Sequence, residues 1–378
     1  MAEKPKKRMK LFTAGRTDVT LLFVVMFLMV FGIIMVYSSS YYHSLETFGT
    51  NSYFFVRQTA WVVVGTLVMY IVSRINHQIF LKWSGLVYIV VIGLLSVVLI
   101  VGSDINGSKR WLDLGPVGFQ PSELAKIGLI FVMASLLVGF YKHLDKFRVF
   151  IPIVLLAFVP IILVAMENLS TAIVLIAILG GMLFVIHPQI WKVILIFLPP
   201  VLIGGYLFIT QFAYRSSRFT IWLEGPFSDP TGDGFQTIQS LYAIGSGGVF
   251  GVGLGKSIQK IEFIPEAHND IIFSIICEEL GLFGAFSVLM LFGILLWRLV
   301  DIMRQSKEMT SILIVVGVLM HIGIQLIINI GVVTNAIPAT GIPLPFVSYG
   351  GSSLVFLLIE VGVVLNIARQ TNDAIESR

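Results

Sequence analysis

Residues 262–297 read EFIPEAHNDIIFSIICEELGLFGAFSVLMLFGILLW. The opening is crowded with charge, with Glu266, His268, Asp270, Glu278 and Glu279 close together. From Ile271 to Trp297 the chain is apolar apart from Glu278, Glu279 and two serines, and it is longer than the ~20 residues a helix needs to cross a bilayer. Charge at the mouth of such a helix is costly enough to need a reason. Asp270 directly precedes Ile271, Ile272 and Phe273. Taken alone it has two readings. It is a helix cap that complements the dipole, or a general base or cation ligand facing whatever binds at the membrane surface.

The apolar pattern repeats along all 378 residues, of which 57% are hydrophobic and 12% charged. A mean hydropathy of +0.94 excludes an ordinary soluble domain. About ten spans are expected, near 18–38, 57–73, 83–102, 122–140, 149–166, 169–186, 190–210, 271–297, 310–333 and 351–368. The break at His187-Pro188 decides the count. The fold class is therefore all-α, a polytopic integral membrane protein with one transmembrane domain over 18–368. Lys4, Lys6, Lys7, Arg8, Lys10 and Arg16 hold the basic segment 1–17 in the cytoplasm. Ten spans then return the tail, 369–378, to the same side, together with most of the basic loops. The first span is long and lacks a small-x-small cleavage site, so it reads as an uncleaved anchor.

The net charge of +4 follows from this bias and calls for no nucleic acid. Cys277 is the single cysteine, so no internal disulfide forms. The six histidines are scattered, and no histidine-built metal site is expected.

Besides an ordinary polar loop at about 39–56, three external segments stand out. Residues 103–121 surround Lys109, Arg110 and Trp111 with Gly and Pro. The loop between the seventh and eighth spans, about 211–270, is by far the longest, and long loops in compact proteins are functional or disordered. Within it, 236–254 (QTIQSLYAIGSGGVFGVGL) suggests a re-entrant or interfacial hairpin. Residues 338–353 (PATGIPLPFVSYGGSS) break the helix before the last span, and irregular backbone at that depth must be buried or line a wet cavity.

Glu123 and Lys126 lie three apart at the start of the fourth span, close enough to pair on one helix face. The pair is structural, or it shapes a polar cavity as well. External Arg57, Lys109, Arg110, Arg215, Arg218, Lys256 and Lys260 run against the positive-inside rule. They are solvated loop charge or contacts for an anionic ligand such as phosphate. GVGLGKS, ending at Ser257, has only a partial likeness to a phosphate loop. Glu360 is alone in LVFLLIEVGVVL, with no partner legible in the sequence.

The stretches GSKRWLDLGPVGFQPSELAK (107–126), GFQTIQSLYAIGSGGVFGVGLGKSIQK (234–260), PEAHNDIIFSIICEELGLFG (265–284) and IPLPFVSYGGSS (342–353) resemble SEDS proteins. These are the shape, elongation, division and sporulation polymerases of the FtsW, RodA and SpoVE type, and the likeness leans toward the FtsW/SpoVE branch. It covers essentially the whole chain.

The resemblance implies a peptidoglycan glycosyltransferase that polymerises lipid II into glycan strands at the outer face of the bacterial cytoplasmic membrane. Asp270 matches the essential acid of the family and becomes the general base of an inverting transfer. Substrate contacts implied with it are Arg57, Lys109, Arg110, Trp111, Gln120, Ser122, Glu123, Lys126, Lys256, His268, Ser348, Gly350, Gly351 and Ser352. No cofactor is required, and a divalent cation, magnesium or manganese, stands as an optional helper. The implied partners are a class B penicillin-binding protein and the division or elongation machinery, with placement at the division septum. Where the family often has Pro-Asp before the sixth span, this chain has Glu167-Asn168, which puts any role of that aspartate in question. A lipid II flippase, or a scaffold that only recruits a synthase, would use the same features.

Overall fold

A computed structural model describes residues 17–376 except 106–107, 115–116, 188, 212, 233 and 263–266. Membrane-length helices dominate it. They are α1 (Val19–Phe48), α2 (Tyr53–Arg74), α3 (His77–Val101), α4 (Pro121–Gly139), α5 (Phe147–Glu167), α6 (Leu169–Ile186), α7 (Ile190–Thr210), α11 (Ile272–Gln305), α12 (Met309–Val333) and α13 (Gly351–Glu376). Among the described residues nine helices are long and apolar enough to cross a membrane. The span expected at 190–210 falls on α7, a helix of 21 residues that is not one of these nine.

The loop between α7 and α11 is largely structured, with α8 (Ala213–Glu224), α9 (Phe235–Ser246) and α10 (Gln259–Glu262). The 103–121 segment, expected as a loop, adds a small antiparallel sheet to the helical fold. Its strands are β1 (Ser103–Ile105), β2 (Ser108–Leu114) and β3 (Val117–Phe119), in the order β1-β2-β3.

α13 packs on α2, α3 on α4, and α12 between α6 and α11. Helix ends are tied across the bundle. Asp18 caps α1 by accepting from the Leu21 N–H at 2.9 Å and pairs with Arg298 of α11 at 2.7 Å. At the C-terminus of α5, Arg215 donates to the Met166 carbonyl at 2.9 Å and Arg110 to the Glu167 carbonyl at 3.1 Å. Cations satisfy orphan carbonyls at the negative end of the helix dipole.

α11 is broken at Gly281, whose φ of 67° and ψ of −165° no ordinary L-residue adopts cheaply. The opened backbone is closed by residues 248–253. Val252 and Gly253 donate to the carbonyls of Glu278 and Glu279 at 2.9 and 3.0 Å, while Leu282 and Phe283 donate to Gly248 and Val249 at 2.9 and 3.1 Å. The expected 236–254 hairpin is thus helix α9 followed by a strap across the α11 break. Two carboxylates fasten the strap's far end. Glu278 accepts from the Ser257 hydroxyl and the Ile258 N–H, and Glu279 binds Lys260 at 2.6 Å and Ser38 of α1 at 2.7 Å. Lys260, expected as an external cation, is buried in this pair.

Candidate functional site

A cavity of about 650 Å³ opens at the end of the bundle where α11 begins. Arg110 and Trp111 reach it from β2, and Gln120, Glu123 and Lys126 from the start of α4. Asn168 and Thr171 come from the start of α6, Arg218 from α8 and Gln236 from α9. Asn269 and Asp270 come from the turn before α11, Gln325 from α12, Gly341–Pro343 and Tyr349 from the connection between α12 and α13, and Ser353 from the start of α13. Residues far apart in sequence thus converge on one space.

Asp270 is the first of two carboxylates on its wall among the described residues. The cap position of α11 falls on Ile271, which makes no side-chain cap bond. A Cβ placed on Gly341 would lie 3.8 Å from Asp270 Oδ2 and 3.9 Å from Arg110 Nη1. Carboxylate and guanidinium therefore both lie against the same bare stretch of backbone, which lines the cavity.

Glu123 is the other carboxylate, and Lys126 binds it at 2.8 Å, one helical turn on. Both are buried, and the spacing of three gives the pairing expected from sequence. Pairing neutralises each within the bundle, and both still line the cavity.

Polar bonds hold the Asp270 turn from behind. Asn329 of α12 donates to the Asp270 carbonyl at 2.7 Å and to the Ile342 carbonyl at 2.9 Å. Tyr349 N–H donates to the His268 carbonyl at 2.9 Å. His268 lies among Phe54, Tyr349 and His43, with ring centroids 4.2, 5.5 and 5.7 Å away. Burial, with the nearby His43 charge second, pushes its imidazole down to about 3. It packs behind the turn and does not line the cavity.

Other expected site residues lie elsewhere. Arg57 donates to the Tyr53 hydroxyl at 2.7 Å and stands over that ring, beside Tyr349. It stands one side chain back from the cavity. Burial raises the Tyr349 phenol, with Arg57 opposing. Ser348 closes a buried turn, accepting from the Leu344 N–H at 2.8 Å, and Gln58 brackets the turn through Ser348 O and Gly350 N.

Gly351 allows α13 to approach α2, since a Cβ there would lie 2.7 Å from Trp61 Nε1; one on Gly350 would meet Ser353 Oγ. Ser122 and Ser352 are buried away from the large cavity, and Ser353 is the serine on its wall. Lys256 is exposed on the strap. The Lys109 side chain and Glu266 lie outside the described residues.

The cavity also holds residues that no sequence pattern singled out, namely Thr171, Gln236, Asn269, Gln325 and Tyr349. At the position of the missing aspartate, Asn168 both lines the cavity and caps α6, accepting from the Thr171 N–H at 3.1 Å. Among the described residues no three of His, Cys, Asp and Glu come together to hold a metal ion. With Glu123 already paired to Lys126, the described residues of the wall do not fit a resident metal, and no step is assigned to one.

Fold and site define a multi-pass membrane protein with a polar, cation-rich cavity at one end of its helices. The "Cell cycle protein" family model uniting FtsW, RodA and SpoVE matches residues 19–373, and the chain belongs to that family. It is 40% identical to Stage V sporulation protein E of Bacillus subtilis, over 93% of this chain and 97% of that one. It is 35% identical to the probable peptidoglycan glycosyltransferase FtsW of Coxiella burnetii, over 92% of this chain and 94% of that one.

Two solved structures share the fold. One is reported under "Structural coordination of polymerization and crosslinking by a peptidoglycan synthase complex", with TM-score 0.78, 29% identity and coverage of 94% and 98%. The other is rod shape determining protein RodA of Thermus thermophilus, with TM-score 0.69, 26% identity and coverage of 94% and 97%.

Proposed function

We propose that this protein is a peptidoglycan glycosyltransferase that polymerises lipid II at the outer face of the bacterial cytoplasmic membrane. The observation that carries the reading is Asp270 beside Arg110 on the wall of a 650 Å³ cavity at the mouth of a membrane helix. Lipid II joins sugars to a polyprenyl chain through diphosphate. Its tail belongs in the bilayer and its sugars in water, so the reaction belongs at this boundary. The names borne by relatives support the same chemistry.

In the reaction, Asp270 accepts the proton of the acceptor sugar's 4-hydroxyl. That oxygen forms a bond to C1 of the growing strand as the bond from C1 to the diphosphate oxygen breaks, inverting the anomeric centre. The electron pair leaves with undecaprenyl diphosphate. Arg110 and Arg218 line the cavity where that charge develops, and fixed cations held in place by the fold stabilise it more than water would. Any divalent cation would arrive with the diphosphate as part of the substrate.

The termini lie in the cytoplasm and the α7–α11 loop outside. The partner is a class B penicillin-binding protein that supplies crosslinking, and the site of action is the division septum. A solved relative titled as part of a synthase complex supports the partner.

The test is polymerisation of purified lipid II in detergent, where there are no two sides to flip between. Wild-type protein is expected to make glycan strands and Asp270→Asn none, with unchanged thermal unfolding. Polymer from Asp270→Asn would remove the general base. No polymer from the wild type, with translocation in vesicles, would replace the enzyme by a flippase.

A further inference from the structure

α12 carries a polar stripe through an otherwise apolar helix. His321, Gln325 and Asn329 are spaced by four, so they share one face, and they are 2%, 7% and 1% exposed. Each is engaged. Asn329 holds the Asp270 and Ile342 carbonyls, and Gln325 Nε2 donates to the Pro343 carbonyl at 2.9 Å. His321 Nε2 lies 2.9 Å from Gln325 Oε1, and Nδ1 lies 2.7 Å from Glu360 Oε2 of α13. Glu360 is 3% exposed, and its other oxygen makes no hydrogen bond among the described residues.

The protons of this chain follow by elimination. A carbonyl only accepts, so the Gln325 amide must turn its NH₂ to Pro343 and its oxygen to His321. His321 Nε2 therefore bears a proton. Between Nδ1 and Glu360 one further proton is shared, giving either imidazolium with carboxylate or neutral imidazole with carboxyl. Both forms are neutral overall, which lets two ionisable groups sit inside a membrane bundle.

Pro343 matters because of its neighbours. Gly341–Pro343 forms the cavity wall against Asp270 and Arg110. Behind it, Glu123, His321, Gln325 and Pro343 line a small pocket of about 20 Å³, room for about one water molecule.

We propose that Glu360, His321 and Gln325 form a positioning relay, in which the buried pair orients the Gln325 amide and the amide holds the Gly341–Pro343 wall in register with Asp270. None of the three takes the substrate proton. The proposal rests on the glycosyltransferase reading for its kinetic consequence and on hydrogen-bond geometry for its structural one.

The experiment compares wild type, Glu360→Ala and Glu360→Gln in lipid II polymerisation and thermal unfolding. It adds ¹⁵N NMR of histidine-labelled protein, with His321→Gln to assign the resonance. Removing the carboxyl takes away the Nδ1 partner that fixes the rotation of the His321 ring against Gln325. Glu360→Ala should therefore lower kcat about tenfold or more through misplacement while KM stays within about twofold. Glu360→Gln, whose amide can donate to Nδ1 and so keeps the proton on Nε2, should recover most of the rate.

NMR should show His321 Nε2 protonated in the wild type. A bare Nε2, a wild-type kcat in Glu360→Ala, or a Glu360→Gln no better than Glu360→Ala at equal thermal stability would overturn the relay. If wild-type protein makes no polymer, the glycosyltransferase reading fails, and the Nε2 resonance still decides the hydrogen-bond chain.

Discussion

The side-chain amide of Asn329 donates to the main-chain carbonyl of Asp270 at 2.7 Å, linking α12 to the turn that carries the carboxylate proposed as general base. Its second bond, to the Ile342 carbonyl, ties the adjoining wall of the same cavity. Asn329→Leu keeps the volume and strands two buried carbonyls, each costing about 1–3 kcal/mol. The expected result is a lower midpoint of thermal unfolding and a polymerisation kcat reduced by about tenfold or more. Unchanged values for both would show that the turn holds itself.

Stability and activity should part at the Glu123–Lys126 pair. Removing one partner leaves a buried charge uncompensated, at about 3–5 kcal/mol. Glu123→Gln and Lys126→Met should each lower the unfolding midpoint, and the double variant should restore much of it. Polymerisation should stay low in all three, because both side chains also line the cavity. Recovery of activity in the double variant would make the pair purely structural.

Acid should weaken the fold through His268. The imidazole is held neutral, down to about 3 in the folded protein against 6.5 in its ordinary state. Stability is therefore complete above pH 6.5 and falls as pH drops toward 3, because the unfolded chain binds the proton first. At pH 4.5 the loss is about 2–3 kcal/mol. His268→Phe preserves the aromatic packing and should flatten this part of the profile, measured as unfolding midpoint between pH 7 and 4.5.

Gly341 faces both Asp270 and Arg110, with room for a methyl at ordinary contact. Gly341→Ala should be tolerated. Gly341→Leu pushes a branched side chain against the carboxylate and guanidinium and should cut kcat/KM by about a hundredfold with little change in unfolding midpoint. Equal activity of the two variants would place the reacting atoms elsewhere.

Gly281 should tolerate no side chain. Its φ of 67° is strained for any L-residue, and a Cβ would lie 2.3 Å from the Gly251 nitrogen. Gly281→Ala should cost at least about 1–3 kcal/mol and loosen the strap, read as faster hydrogen exchange over residues 248–253.

Those parts of the protein that depend on local pattern are legible in the amino-acid order. The span positions follow from runs of apolar residues, which no tertiary contact can rearrange because a bilayer demands them. The Glu123–Lys126 pair follows from a spacing of three on a helix. Asp270 stands out as a carboxylate at a helix mouth, and the family motif separates it from Glu266, Glu278 and Glu279.

What joins residues across the bundle is not legible there. Glu360 has no partner in its own stretch of chain because His321 lies on another helix, 39 positions away. Gln325 and Asn329 look like isolated polar residues of an apolar span until the α12–α13 connection folds back against them. Arg215 and Lys260 read as external cations, and the fold commits them to a helix terminus and a buried carboxylate. Ser348 and Gly351 read as ligand contacts, and the structure uses the first for a turn and the second for a close helix approach. Sequence alone determined that this chain is a membrane bundle with a carboxylate at one helix mouth, since hydropathy and spacing act locally. Which polar groups meet at that mouth was decided by tertiary structure, because a hydrogen bond depends on the distance between atoms and not on their separation along the chain.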